Sequence, residues 1–135
     1  MSEQAEHEEA LIRAFILPQR QSRYLELLPK PKRRKDVTRE LAHFKHVDMR
    51  FAVQIPPSQR GCSGILRILK AKGAPDICYA ISEDDELDGK ELPLSQSLKK
   101  ILGYGMGTFL SCLPGRLAYF EDEDQRWILE RKGKR

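Results

Sequence analysis

The sequence predicts one α+β domain: an N-terminal helical layer over residues 6–45, then a roughly five-stranded mixed sheet with two packed helices over residues 50–131. Three observations carry this. At 135 residues the chain fits a single domain and can bury one core. Its apolar residues recur at helical spacing before Lys45. After Arg50 they alternate or cluster in short runs punctuated by Pro and Gly, as strands and their turns do.

The first helix is predicted over Glu6–Leu17, with Ala10, Leu11, Ala14 and Phe15 as its apolar stripe. Glu3, Glu6, Glu8 and Glu9 suit the positive end of its dipole. Pro18 ends that helix and opens a second, in which Tyr24, Leu25 and Leu28 face one way and which Pro29 and Pro31 stop. A third helix is expected from Val37 to Lys45, capped by Asp36, with Val37, Leu41 and Phe44 on its buried side. Residues 1–5 and 132–135 read as frayed ends.

Arg50–Ile55 has the alternation of a half-buried strand. A helix follows over Gln59–Lys72, stopped by Gly73, and Ile77–Ile81 is short and apolar enough for a buried strand. Strand, helix and strand of these lengths suggest a right-handed crossover between parallel neighbours. Leu94, Leu98, Ile101 and Leu102 mark another helix. Strands are then expected at Thr108–Leu113, Arg116–Glu121 and Arg126–Arg131, the first two joined by a tight turn at Pro114-Gly115.

Charged residues make up 33% of the chain and hydrophobic ones 40%, a globular balance rather than a disordered one. No apolar run approaches the roughly 20 residues of a membrane-spanning helix, and the acidic start MSEQAEHEEA lacks a signal peptide's features. Cys62, Cys78 and Cys112 include no Cys-x-x-Cys pair, so they read as reduced, structural thiols of a cytoplasmic protein. The net charge of +4 is uneven. Pro18–Lys45 holds nine Lys/Arg against Glu26, Asp36 and Glu40, or +6, and the remainder is −2.

That basic segment is the most informative feature. Arg20, Arg23, Lys30, Lys32, Arg33, Arg34, Lys35 and Arg39, with Lys45 nearby, form a candidate surface for an anionic partner, either nucleic acid or an acidic protein. The competing reading is a solvated face, or one paired with the protein's own acidic loops. A helix–turn–helix is disfavoured because the connection carrying Lys30–Lys35 is long and interrupted by proline. No aromatic residues interleave with the basic run to stack bases.

Other motifs are incomplete. From Asp84, a calcium loop would place Asp84, Glu86, Asp88 and Gly89 correctly, but its twelfth position is Ser95 rather than Glu. Gly103-Tyr104-Gly105-Met106-Gly107 follows a helix and opens a strand, the reverse of a phosphate loop. Ser97-Leu98-Lys99-Lys100 lacks partner motifs, and His43 with His46 lacks a third metal ligand. The residues call for no metal and no cofactor. A second candidate site gathers Glu83, Ser111, Cys112, Arg116 and Tyr119 at the ends of strands expected to run parallel, with Cys112 a nucleophile if His43 or His46 reached it.

Pro31-Lys32-Arg33-Arg34, Gly73-Ala74-Pro75-Asp76 with Cys78–Glu83, and Ser111–Tyr119 together resemble a group of uncharacterised bacterial proteins of similar length. The resemblance covers most of the chain and implies a bacterial cytoplasmic origin. It carries over no catalytic or binding residue. With no complete catalytic set, the sequence favours a non-enzymatic binding or regulatory module, the alternative being a small enzyme with a pocket near Ser111, Cys112 and Arg116.

Overall fold

A computed structural model describes residues 3–131, and for Glu3 the backbone alone. The class is α+β as expected. Six strands form one sheet, and every pairing in it is antiparallel. In chain order the elements are helices α1 (Glu3–Phe15), α2 (Gln21–Leu27) and α3 (Pro31–Thr38), strand β1 (Ala52–Gln54), helix α4 (Cys62–Ala71), strands β2 (Ile77–Ser82) and β3 (Glu91–Pro93), helix α5 (Leu94–Ile101), and strands β4 (Thr108–Leu113), β5 (Leu117–Glu121) and β6 (Arg126–Glu130). Of the ends expected to fray, residues 3–5 belong to α1, while 1, 2 and 132–135 lie outside the described residues.

The sheet order is β1-β6-β5-β4-β2-β3. Thus β1 and β2 point the same way but are separated by β6, β5 and β4, so the crossover through α4 joins distant strands rather than neighbours. The strands β2 and β4 are neighbours and antiparallel, with Tyr79 opposite Ser111 and Ser82 opposite Thr108. Hydrophobic patterning carries face and period but not strand direction, which is why the mixed sheet of the sequence reading becomes an antiparallel one. The sixth strand, β3, is three residues that fold back on β2.

Both faces of the sheet are covered. On one, Tyr79, Ile81, Phe109, Ala118 and Phe120 pack against α1–α3. On the other, Cys78, Ala80, Leu110, Cys112 and Tyr119 pack against α4 and α5. The central strands β2, β4 and β5 are therefore buried almost throughout and show no polar alternation. Phe109 and Phe120, directly opposite across β4 and β5, stack with ring centroids 4.3 Å apart.

The N-terminal layer departs from the sequence reading at its third helix. Pro31 starts α3 at its first turn instead of stopping α2, so Lys32–Lys35 are helical and not a connection. Asp36 is inside α3, beside Arg33 (3.2 Å), and caps nothing. The segment expected to be helical to Lys45 ends at Thr38 and continues as a single 3-10 turn, Leu41–His43. That turn lies against the start of β4: a Cβ on Gly107 would stand 2.1 Å from the carbonyl carbon of Leu41. The Pro114-Gly115 turn is as expected, with Arg116 N–H donating to Leu113 O (2.9 Å) and Gly115 at φ +73°.

Candidate functional site

The eight basic candidates are not equivalent. Arg20, Arg23, Lys30, Lys32, Arg33, Lys35 and Arg39 are exposed, while Arg34 is mostly buried. Lys30 pairs with Glu26 (3.5 Å), Arg33 with Asp36 (3.2 Å), and Lys35 with Asp85 of the acidic loop between β2 and β3. Among the described residues, Arg20, Arg23, Lys32 and Arg39 make no ion pair. Part of the basic segment is thus neutralised by the protein's own acids, and part is left to solvent.

Arg34 anchors a buried cluster that the sequence reading did not assemble. Its Nε and Nη2 donate to Asp88 Oδ2 and Oδ1 (2.6 and 2.9 Å). Its Nη1 donates to Glu8 Oε2 (2.6 Å) and to Leu28 O (3.3 Å). The Tyr79 hydroxyl donates to the same Glu8 oxygen. Burial opposes the charge on Arg34, but the bonds and charges of Asp88 and Glu8 outweigh it and raise its pKa. Burial also raises the pKa of Tyr79, and the bond to Glu8 raises it further. In the sequence Glu8 reads only as one of four acids suited to the positive end of the helix dipole. The only signal against that is its place in the row Glu8, Leu11, Ile12, Phe15, the face of α1 that is buried.

The cluster forms one side of a cavity of about 460 Å³ between α1, α2 and the start of α3. Its walls are apolar, chiefly Ile12, Tyr24, Leu25 and Leu28, and its charged lining includes Glu8 and Arg34. Beside the cluster, His7 Nδ1 lies 2.7 Å from Ser111 Oγ and its ring stacks on Tyr79. Ser111 is 1% exposed beneath this contact, so the pair closes the α1–sheet interface instead of presenting a nucleophile.

The residues grouped as a second site do not converge. Ser111 and Cys112 are consecutive on β4 and point to opposite faces, beside a register shift between Ser111 and Leu113. Ser111 meets α1, whereas Cys112 and Tyr119 lie in the α4–α5 core. Glu83 follows β2 and accepts from Gly107 N–H (3.3 Å) just before β4, while exposed Arg116 follows β4. Because β2 and β4 are antiparallel, those two residues lie at opposite ends of the sheet. Burial, with a smaller contribution from Cys78, pushes the Cys112 thiol up, against the thiolate a nucleophile needs.

The remaining motifs resolve structurally. His43 pairs with Glu123 (2.8 Å), and His46 packs against Tyr24 and Phe44, its pKa lowered by burial and by Arg20. Ser97 Oγ donates to Pro93 O (3.0 Å). Asp84 accepts from Glu86 N–H (2.9 Å) and Asp88 is held by Arg34, so the acidic loop is folded on itself and on α3. Among the described residues, no group of three or more His, Cys, Asp and Glu is arranged to hold a metal ion.

A buried glutamate outside all these predictions sits at the end of β5. Glu121, 2% exposed, accepts from the Tyr119 hydroxyl (2.7 Å) and from Gly103 N–H (3.3 Å), with Arg126 Nε at 3.6 Å. Burial raises its pKa, only partly offset by the bond from Tyr119 and the charge of Arg126. Among the described residues, no helix is long and apolar enough to cross a membrane. Comparison with protein-family models, curated proteins and solved structures gives no match to this chain.

Proposed function

We propose that the protein is a non-enzymatic binding module whose α2–α3 face meets an anionic partner, a nucleic acid or an acidic protein surface. The observation that supports it is the set of four exposed cations, Arg20, Arg23, Lys32 and Arg39, without an ion pair among the described residues. Lys32 lies in the first turn of α3 and Arg39 is its C-terminal cap, seven positions on and about two turns away. Arg20 and Arg23 bring charge from the neighbouring helical turn. Exposed like charges on neighbouring helical elements repel one another, and a polyanion relieves that repulsion while releasing its own counterions. A bacterial cytoplasmic setting belongs to the same proposal.

The test is fluorescence anisotropy with labelled mixed-sequence DNA, RNA and poly-glutamate at two salt concentrations. Arg34 is unsuitable for charge reversal, because it holds the buried cluster. Reversing Arg23, Lys32 and Arg39 to Glu together leaves that cluster untouched. The expected outcome is binding at low salt that weakens as salt rises and is lost in the triple variant. Absence of binding to every polyanion at low salt, or equal binding by the variant, overturns the proposal.

A further inference from the structure

We propose that the cavity between α1, α2 and α3 binds a small hydrophobic amine, held by the Glu8 carboxylate against apolar walls. None of the four unpaired cations of the basic face is part of its lining. Its volume, about 460 Å³, falls within the roughly 300–1,000 Å³ typical of small-ligand pockets.

Charge selects the ligand. Two carboxylates, Glu8 and Asp88, share one guanidinium, Arg34, and the Tyr79 hydroxyl contributes a hydrogen bond without charge. The cluster is therefore one positive charge short. The groups lie in partial burial, where an unbalanced charge is felt more strongly than in water. Arg34 has little left for an anion, since its Nε, both N–H groups of Nη1 and one of Nη2 are already engaged by Asp88, Glu8 and Leu28 O. Glu8 is different. Both side-chain hydrogen bonds it accepts fall on Oε2, and among the described residues Oε1 accepts none.

An ammonium group donating to Oε1 would supply the missing charge and a charge-assisted hydrogen bond together. The rest of such a ligand would lie against Ile12, Leu25 and Leu28, with the Tyr24 ring available to face the cation. A hydrophobic alcohol of the same shape would keep the wall contacts and lose the charge interaction. A hydrophobic carboxylate would meet a net negative lining.

The experiment titrates the full chain at pH 7 with phenethylamine, phenethyl alcohol and 3-phenylpropionate, by calorimetry and by NMR shifts of α1 and α2. The amine is expected to bind at least about tenfold more tightly than the alcohol, and the carboxylate least of all. Glu8→Gln removes the selecting charge and should erase the preference for amine over alcohol. Ala5→Trp, at an exposed position on the cavity lining, should block all ligands and leave thermal unfolding unchanged. Equal affinity for amine and alcohol, preference for the carboxylate, no saturable amine binding, or amine binding unaffected by Ala5→Trp each overturns the proposal. Should Glu8→Gln not fold, the ligand series and Ala5→Trp decide it.

Discussion

Arg34 and Asp88, 54 residues apart in sequence, meet in a two-pronged contact in which Nε and Nη2 each take one carboxylate oxygen, at 2.6 and 2.9 Å. With Glu8, the pair ties α3, the β2–β3 loop and α1 to one point. Arg34→Ala strands two carboxylates and should lower the unfolding free energy by about 3 kcal/mol in urea titrations. Arg34→Lys keeps a charge but not the fork, and should cost about half as much. Replacing all three charged groups together by Arg34→Met, Glu8→Gln and Asp88→Asn should recover most of the loss, because no unpaired charge remains.

Glu121 makes a pH prediction whose sign follows from its raised pKa. Between its ordinary value, 4.5, and the higher folded value, the native state holds the proton more tightly than the unfolded chain does. Its contribution is therefore fully present at low pH and is lost as pH rises through the folded value. The stability of the wild type relative to Glu121→Gln should fall as pH is raised from about 4.5 toward neutrality. Parallel denaturant titrations from pH 4 to 8 measure that difference, and a flat or rising difference contradicts it.

The thiols should separate by burial. Cys62 is partly exposed, whereas Cys78 and Cys112 are each 2% exposed, and burial raises the Cys78 pKa to about 11 and that of Cys112 as well. A disulfide reagent at pH 8, followed by peptide mass mapping, should label Cys62 first and the other two at least about a hundredfold more slowly. Labelling of Cys112 at the rate of a free thiol would return it to consideration as a nucleophile.

Gly107 should not tolerate a side chain. A Cβ would stand 2.1 Å from Leu41 C and 2.3 Å from Ala42 N, both backbone atoms that no rotamer change can move. Gly107→Ala should cost about 2 kcal/mol or more, measured as a shift in urea midpoint at constant slope. Gly61→Ala, where nothing lies within 4 Å, is the matched control and should change little.

The elements most legible in the sequence were those with local causes. The β4–β5 turn follows from Pro114-Gly115, and α5 from Leu94, Leu98 and Ile101, all buried as their spacing implies. Strand direction was not legible, since a period of two is the same for parallel and antiparallel neighbours. Pro31 was ambiguous because proline both ends one helix and begins another, and the second role wins here. The cluster of Glu8, Arg34, Asp88 and Tyr79 joins four distant stretches of chain, so no local pattern announces it. The second candidate site failed on the alternation of β4, which parts Ser111 from Cys112.

The sheet order has a consequence for how the chain is made. The edge strand β1 pairs with β6, and their register joins Ala52 to Leu129 and Gln54 to Trp127. Helices α1–α3 rest on a sheet face that includes Phe109, Phe120 and Leu129, which are synthesised long after them. A chain made from its N-terminus would therefore leave Leu11, Ile12 and Phe15 without this cover until β4–β6 are available. Completion of that core is deferred until β5 and β6 are made, and a nascent chain halted before residue 117 should expose apolar surface to chaperones instead of holding a partly finished domain.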